Sequence, residues 1–588
     1  MAESRATDAN GKNSPRREAL AIAVICVVGL SLRLLVLSTW AATPLFASLT
    51  GDELNFHRTA LGLIGQGPPV DAFLYQPLYS FYLAGLYLLF GVDLAMVRTV
   101  QLLLGVGTVL LCYCLGRELG GRAAGTWAAL FAAFYGPLIF FESQLLAPAL
   151  KVPLDIASFW LLLRAGKRDH PWLLLPAGLL FGVAMMARPN LGICLPIAAV
   201  WFYCQSNAPK RRLTGLLLAL LGLGIGLAPS WIHNLSQGEA ATPVSSAGGI
   251  SFYIGNNPQA TGAYHVPPGE HIDATSHEAY RISLQKLAES DAGQSLSPSE
   301  VSSYWYKRGF QFWREEPGHA LMLLGKKLFL AINGEEMPIH YSYRFGREII
   351  PLLGYLPTFG VLFPFAAMGV AIGRRRHRGV GLLTGCAGAY ALTLVVYYVS
   401  DRYRLMLIPL LWPLAGLGAA QLAKLVSEGS WRRIARVLLV FGIGFGTTQA
   451  PLVNESTRLQ GIVSGYNLMG KAEGERGRLD QAEAYFTKAV QLAGPEHGIL
   501  ARNNLGVVSE KRGDFKGART RYREVFELDP ENTFALGRLA DLAEQQGEYE
   551  EALRWWERLI GVLDDPAPAR VAISRLKSRL QASLPADK

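Results

Sequence analysis

Thr50-Gly51-Asp52-Glu53-Leu54-Asn55-Phe56-His57 is an acidic turn directly behind the first long apolar run, residues 19–40. A run of that length can span a bilayer. The basic flank before it (Lys12, Arg16, Arg17) belongs on the cytoplasmic side. The turn is thereby expected at the outer rim of the membrane. Two adjacent carboxylates there are costly to desolvate, so they face water, a cation or a reacting group. A plainer use also exists, because negative charge suits the N-terminus of a following helix.

Working outward, the chain has 588 residues, too many for one ordinary domain. Its hydrophobic fraction is 51% and its mean hydropathy +0.22, with nearly all long apolar runs before residue 451. The net charge of +10 divides the same way: residues 464–588 hold 19 Lys/Arg against 20 Asp/Glu, and residues 1–463 hold 37 against 26. The excess sits in short loops between apolar runs. That is the signature of membrane orientation and gives no support to nucleic-acid binding. The six cysteines (Cys26, Cys112, Cys114, Cys194, Cys204, Cys386) all fall in the apolar runs, so no disulfide framework is expected in the polar parts. The first apolar run lacks a small-residue cleavage site and reads as an uncleaved anchor.

Further apolar runs lie at 75–91, 94–115, 123–139, 145–163, 171–187, 189–205, 213–231, 351–372, 379–398, 403–425 and 433–450. The run at 75–91 begins Tyr75-Gln76-Pro77 and has only about fourteen residues after the proline, short of the ~20 a spanning helix needs. If it lies at the outer interface, then Arg117/Arg122, Arg164/Lys167/Arg168, Lys210/Arg211/Arg212, Arg374/Arg375/Arg376/Arg378 and Arg432/Arg433 all fall inside. If it crosses, the first three clusters are forced outside, against the charge rule. The expected topology is therefore eleven spans, N-terminus inside and C-terminus outside. It gathers Asp52/Glu53, Glu142, Arg188, the loop 232–350 and Ser400-Asp401-Arg402-Tyr403-Arg404 on the outer face.

Within that loop, residues 246–262 place glycines and Asn256-Asn257-Pro258 around a short strand-like run. His265, His271 and His277, with Asp273 and Glu278, suggest a metal site. Their spacing of six puts them on no common helical face, and a solvated loop is the expectation. Residues 305–332 read as amphipathic helices on the bilayer surface, with Lys326 and Lys327 as snorkelling cations or contacts to lipid phosphates.

After Pro451 a period near 34 residues begins. Ala482, Ala518 and Ala552 recur 36 and 34 residues apart, with large partners at Phe486, Tyr522 and Trp556 and small ones at Gly470, Gly506 and Ala540. The pattern resembles tetratricopeptide repeats: three helix pairs and a final helix near 567–583, forming an α-solenoid that binds protein partners. The expected domains are a cytoplasmic tail (1–18), a membrane domain (19–450) containing the loop 232–350, a linker (451–463) and the repeat domain (464–588).

The ordered motifs of the membrane part resemble the GT-C glycosyltransferases, of the protein O-mannosyltransferase and lipid A aminoarabinose transferase kind. They are the acidic pair after span one, Tyr75-Gln76-Pro77-Leu78-Tyr79, Phe141-Glu142-Ser143, Ala187-Arg188-Pro189, Gly255-Asn256-Asn257-Pro258 and Asp401-Arg402-Tyr403-Arg404. The resemblance implies an all-α, polytopic membrane fold and transfer of a sugar from a polyprenyl-phosphate carrier to an acceptor hydroxyl. Asp52, Glu53 and Glu142 are then the catalytic candidates, with Asp52 first choice as base. His57, Tyr75, Arg188, Arg402 and Arg404 are candidates for substrate binding, the arginines through the carrier phosphate. No cofactor is fixed, though Asp52 and Glu53 could hold a divalent cation. Implied partners are the lipid-linked donor, a protein, lipid or glycan acceptor, and the bilayer of the cytoplasmic membrane. An O-antigen ligase or polymerase-like enzyme, or a non-enzymatic membrane-anchored scaffold, is the competing reading.

Overall fold

The computed structural model describes residues 2–205, 208–239, 242–265, 277–339, 342–374, 377–453, 455–494, 498–563 and 566–583. Contacts divide the chain into two units. One comprises Met1–Ala42, Leu49–Ile339 and Gly346–Val453; the other comprises Thr43–Ser48, His340–Phe345 and Asn454–Lys588.

The elements of the first unit among its described residues are helices, beginning with α1 (Ala2–Ala41), α2 (Gly51–Leu63), α3 (Leu78–Phe90) and α4 (Leu94–Gly120). Asp93 starts α4 by accepting the backbone N–H groups of Ala95 and Met96 at 2.8 and 3.1 Å. Next come α5 (Arg122–Phe134), α6 (Gly136–Glu142), α7 (Pro148–Arg168), α8 (Leu174–Ala187), α9 (Cys194–Gln205) and α10 (Pro209–Ser236). Among the described residues, six helices are long and apolar enough to cross a membrane, or seven if the pair α5–α6, bent by 54°, is one span. The eleven spans expected from apolar runs exceed that number. The difference lies in helices that are short, such as α3 with 13 residues, or that carry several charges, such as α7 with Lys151, Asp155 and Arg164. At 1.5 Å per residue α3 reaches about 20 Å, less than a hydrocarbon core.

The segment read as strand-like is instead a helix, α11 (Gly248–Gly255). Tertiary packing overrides the local β preference of Ile250-Ser251-Phe252-Tyr253-Ile254. A Cβ on Gly255 would stand 1.8 Å from the Tyr397 carbonyl oxygen, so only glycine permits the approach. Asn256 then fixes the end of α11. Its amide donates to the carbonyls of Phe252 and Val396 at 2.8 and 2.9 Å, and its Oδ1 accepts from Trp313 at 3.0 Å. The loop that follows makes an isolated parallel bridge, Ala263 to Val399. These contacts set the backbone just before Asp401.

Three helices follow: α12 (His277–Ala292), α13 (Pro298–Glu315) and α14 (Pro317–Ile332). A full capping box starts α13, Ser297 and Glu300 each accepting the other's backbone N–H. Lys327 on α14 corrects an expectation. It is fully buried rather than snorkelling, and its Nζ donates to Asn256 Oδ1 at 3.2 Å. Burial lowers its pKa to about 7. After α15 (Tyr343–Ile349) come α16 (Phe359–Gly373), α17 (Arg378–Val396), the one-turn α18 (Asp401–Arg404), α19 (Ile408–Ser427) and α20 (Trp431–Thr448).

In the second unit α21 (Glu455–Glu475) to α26 (Tyr549–Ile560) form three successive helix pairs, closed by α27 (Ala567–Ser583). The periodic alanines Ala482, Ala518 and Ala552 are each fully buried, with Phe486 and Tyr522 filling the space beside the first two. Small residues at fixed offsets let one helix lie close on the next, which is what makes the pairs stack.

Candidate active site

The acidic turn places its two carboxylates at the start of α2. Gly51 takes φ +53°, a region that favours glycine, and α2 begins with Asp52 and Glu53 in its first turn. Neighbouring positions on a helix point about 100° apart, and the two acids accordingly take different partners. Asp52 Oδ2 accepts from Arg402 Nη1 at 2.5 Å, with the side chains 23% and 9% exposed. Glu53 is buried and accepts the backbone N–H of Leu145 at 2.8 Å.

Arg402 is aimed by α18. Ser400 caps that turn, its hydroxyl accepting from Tyr403 N at 3.2 Å, and the Asp401 N–H donates to the Met337 carbonyl at 2.8 Å. Around the ion pair stand tyrosines from distant segments. The Tyr398 and Tyr403 hydroxyls are 2.7 Å apart, and the Tyr264 ring lies 5.6 Å from that of Tyr398. Tyr75 and Tyr264 both hold their protons more tightly than usual, through burial first and the nearby Asp52 charge second. They are therefore neutral O–H donors. Arg188, after α8, lies over the Tyr403 ring at 3.9 Å from its centroid.

The remaining expected residues take other partners. Glu142 is fully buried and paired with Arg33 of α1 at 2.7 Å, a different partner from that of Asp52. Arg404 spends its fork on residues 333–336: it donates to the carbonyls of Asn333 and Glu335 and to the Glu336 carboxylate, the last at 2.5 Å. It is also 4.4 Å from the Phe359 ring centroid. The two arginines expected to share a phosphate thus turn to opposite tasks. His57 Nδ1 lies 2.8 Å from the Tyr87 hydroxyl, and burial lowers its pKa, so the ring is neutral near pH 7.

No group of three or more His, Cys, Asp or Glu among the described residues is arranged to hold a metal. Of the loop histidines, His265 is exposed; His271 and Asp273 lie outside the described residues, as do the side chains of His277 and Glu278.

Two sets of polar residues escaped the sequence reading. Arg98 and Gln101 of α4 bind the backbone after α6: Arg98 Nε donates to Ser143 O at 3.1 Å, and Gln101 to Glu142 O and Gln144 O at 2.8 Å each. With Glu53 on Leu145, they hold the α6–α7 turn from both sides. Lys151 and Asp155 form a fully buried ion pair on α7. Opposite charges four residues apart inside an apolar run were the available signal.

Residues 74–233 match the family described as dolichyl-phosphate-mannose-protein mannosyltransferase. Residues 462–531 and 511–577 match tetratricopeptide repeats. No functionally curated protein matches the sequence. Among solved structures, the chain is similar to the apo oligosaccharyltransferase of Archaeoglobus fulgidus, with 14% identity over 80% of this chain and a TM-score of 0.39; it spans 59% of that protein's length. The oligosaccharyltransferase AglB of the same organism, in complex with an inhibitory peptide and a dolichol-phosphate, gives 13% identity, 85% and 69% coverage of the two chains, and a TM-score of 0.42. ArnT from Cupriavidus metallidurans bound to undecaprenyl phosphate gives 14%, 89% and 80%, and 0.37. The chain is a multi-pass membrane protein in which a segment matching the protein-mannosyltransferase family is followed by C-terminal tetratricopeptide repeats.

Proposed function

We propose that the protein transfers a sugar from a polyprenyl-phosphate carrier to an acceptor hydroxyl on the outer face of the cytoplasmic membrane. The observation that carries this reading is the Asp52–Arg402 pair inside a ring of neutral tyrosines. It combines a half-buried carboxylate able to take a proton with a cation able to receive a phosphate.

In the free protein Arg402 holds Asp52 in place. When the donor binds, its phosphate competes for the guanidinium, whose fork suits phosphate oxygens. Asp52 is then released to take the acceptor's proton. The acceptor oxygen forms a bond to the anomeric carbon as the bond from that carbon to the phosphate oxygen breaks. The electron pair leaves with the polyprenyl phosphate, and Arg402, with Arg188 on the Tyr403 ring, stabilises the charge that develops there. Tyr75 and Tyr264 supply O–H donors, and their neutrality keeps a second negative charge away from Asp52. Glu53, Glu142 and Arg404 act through other groups: Glu53 fixes the α6–α7 turn, Glu142 pairs α6 with α1, and Arg404 braces α18 against residues 333–336. The basic loops favour placing the repeat domain on the extracytoplasmic side, where it would hold a protein partner or acceptor.

The test is sugar transfer by the purified protein in liposomes, offered polyprenyl-phosphate mannose, glucose, galactose and aminoarabinose with a peptide and a lipid-glycan acceptor. Glycosylated product and free polyprenyl phosphate in equal amounts support the reading; hydrolysis or transport without a new glycosidic bond contradicts it.

A further inference from the structure

Lys151 and Asp155 stand one turn apart near the start of α7, with side chains 0% and 1% exposed. Their neighbours on that helix, Val152, Ile156 and Phe159, are buried and apolar, so packing does not require charge here. A buried ion pair is held against a large desolvation cost, and hydrophobic residues of similar volume would serve stability as well. Within a membrane domain such residues mark functional paths. Nor is the pair satisfied. Asp155 Oδ1 is buried with no hydrogen-bond partner among the described residues, and Lys151 forms its one hydrogen bond among them with Asp155.

What faces the pair is also polar and connected to Asp52. Lys151 Nζ lies 6.0 Å from the centre of the Tyr390 ring. Tyr390, on α17, lies within electrostatic reach of Asp155, Arg188 and Tyr403. Arg188 covers Tyr403, and its Nε is buried without a partner among the described residues. A line of polar groups thus runs from Asp52–Arg402 through Tyr403, Arg188 and Tyr390 to Lys151–Asp155.

The chemistry of the inner end differs from that of the outer. Arg402 and Arg188 suit an anion. Lys151 beside Asp155 is neutral as a pair: the carboxylate repels a phosphate and the ammonium repels a cation. What the pair offers is an unspent acceptor and unspent donors beside a phenol and an aromatic face, which is the complement of a neutral polyol. We propose that Lys151, Asp155 and Tyr390 form the subsite that reads the hydroxyl groups of the donor sugar, while Arg402 and Arg188 hold its phosphate. This rests on the transferase reading above.

The experiment compares binding of C55 polyprenyl phosphate with binding of the same lipid carrying mannose, glucose, galactose or aminoarabinose. The full-length protein is used in nanodiscs. Wild type should bind at least one sugar-bearing lipid about tenfold more tightly than the bare phosphate. Replacing both charges at once (Lys151→Met with Asp155→Leu) avoids stranding one ion. It should abolish that preference and leave bare-phosphate affinity within about twofold. Tyr390→Phe removes only a hydroxyl and should reduce the preference several-fold, which keeps the test open if the double variant folds poorly. Retention of the sugar preference in both variants overturns the subsite, as does equal wild-type binding of bare and sugar-bearing lipids. A parallel loss of bare-phosphate binding also overturns it, by making the pair part of the phosphate site or the fold. Failure of folded wild type to bind any polyprenyl phosphate is a different result: it overturns the transferase reading itself.

Discussion

Asp52 and Arg402 lie 350 residues apart in sequence, and their side chains meet at 2.5 Å. The contact joins the first turn of α2 to the single turn of α18, so the candidate base and the candidate phosphate ligand hold each other. Arg402→Lys keeps the charge and loses the planar fork, and should weaken binding of C55 polyprenyl phosphate by about tenfold or more. Arg404→Lys should lower the melting temperature instead, because Arg404 binds two backbone carbonyls and the Glu336 carboxylate. In that variant the folded fraction keeps its phosphate affinity. Equal effects of the two substitutions on phosphate binding would contradict the division of labour.

Glu142 tests whether a motif residue acts on substrate or on the fold. Its pair with Arg33 is completely buried. Glu142→Gln leaves the guanidinium without its counter-charge and should cost about 3–5 kcal/mol of stability, read as a lower denaturation midpoint in detergent. The double replacement Arg33→Met, Glu142→Leu should recover most of that loss. Activity that fails to return with stability in the double variant would assign Glu142 to the reaction.

Legibility in the sequence was uneven, for physical reasons. The apolar runs and the 34-residue repeat announce a membrane part and a helical array, because burial imposes period and length on the sequence. The order of the motifs brings Asp52 and Glu53, and Arg402 and Arg404, into the candidate set. The pairing of Asp52 with Arg402 was not visible, since it depends on the fold bringing distant segments together. The different partners of Asp52 and Glu53 were not visible either: one helical step separates them, and that step sends one to Arg402 and the other to the backbone of Leu145. Arg33, Lys151 and Asp155 were hidden by apolar neighbours that dominate any average over a span. The segment 250–254 looked like a strand because β-branched and aromatic residues prefer one, a preference that tertiary packing overrides in α11.

Lys327 predicts a pH dependence whose sign is fixed by burial. Its folded pKa of about 7 lies below the value of an exposed lysine, 10.5. Between those values the unfolded chain binds more protons than the folded one, so stability rises with pH across that window. Below pH 7 both states are charged and the desolvation penalty is fully present. The melting temperature of the purified protein should therefore rise between pH 7 and pH 9 through this residue, and Lys327→Met should flatten the rise. An unchanged slope in the variant would show that Lys327 is solvated in the folded protein.

The central claim is that Asp52 takes the acceptor's proton, and the transfer rate of Asp52→Asn in reconstituted liposomes tests it most directly. The substitution keeps size and a hydrogen-bond acceptor for Arg402 while removing the base. Transfer should fall by ~10²–10⁴, the range for loss of a general base, with polyprenyl-phosphate binding within a few-fold of wild type. A transfer rate equal to that of wild type would contradict the account.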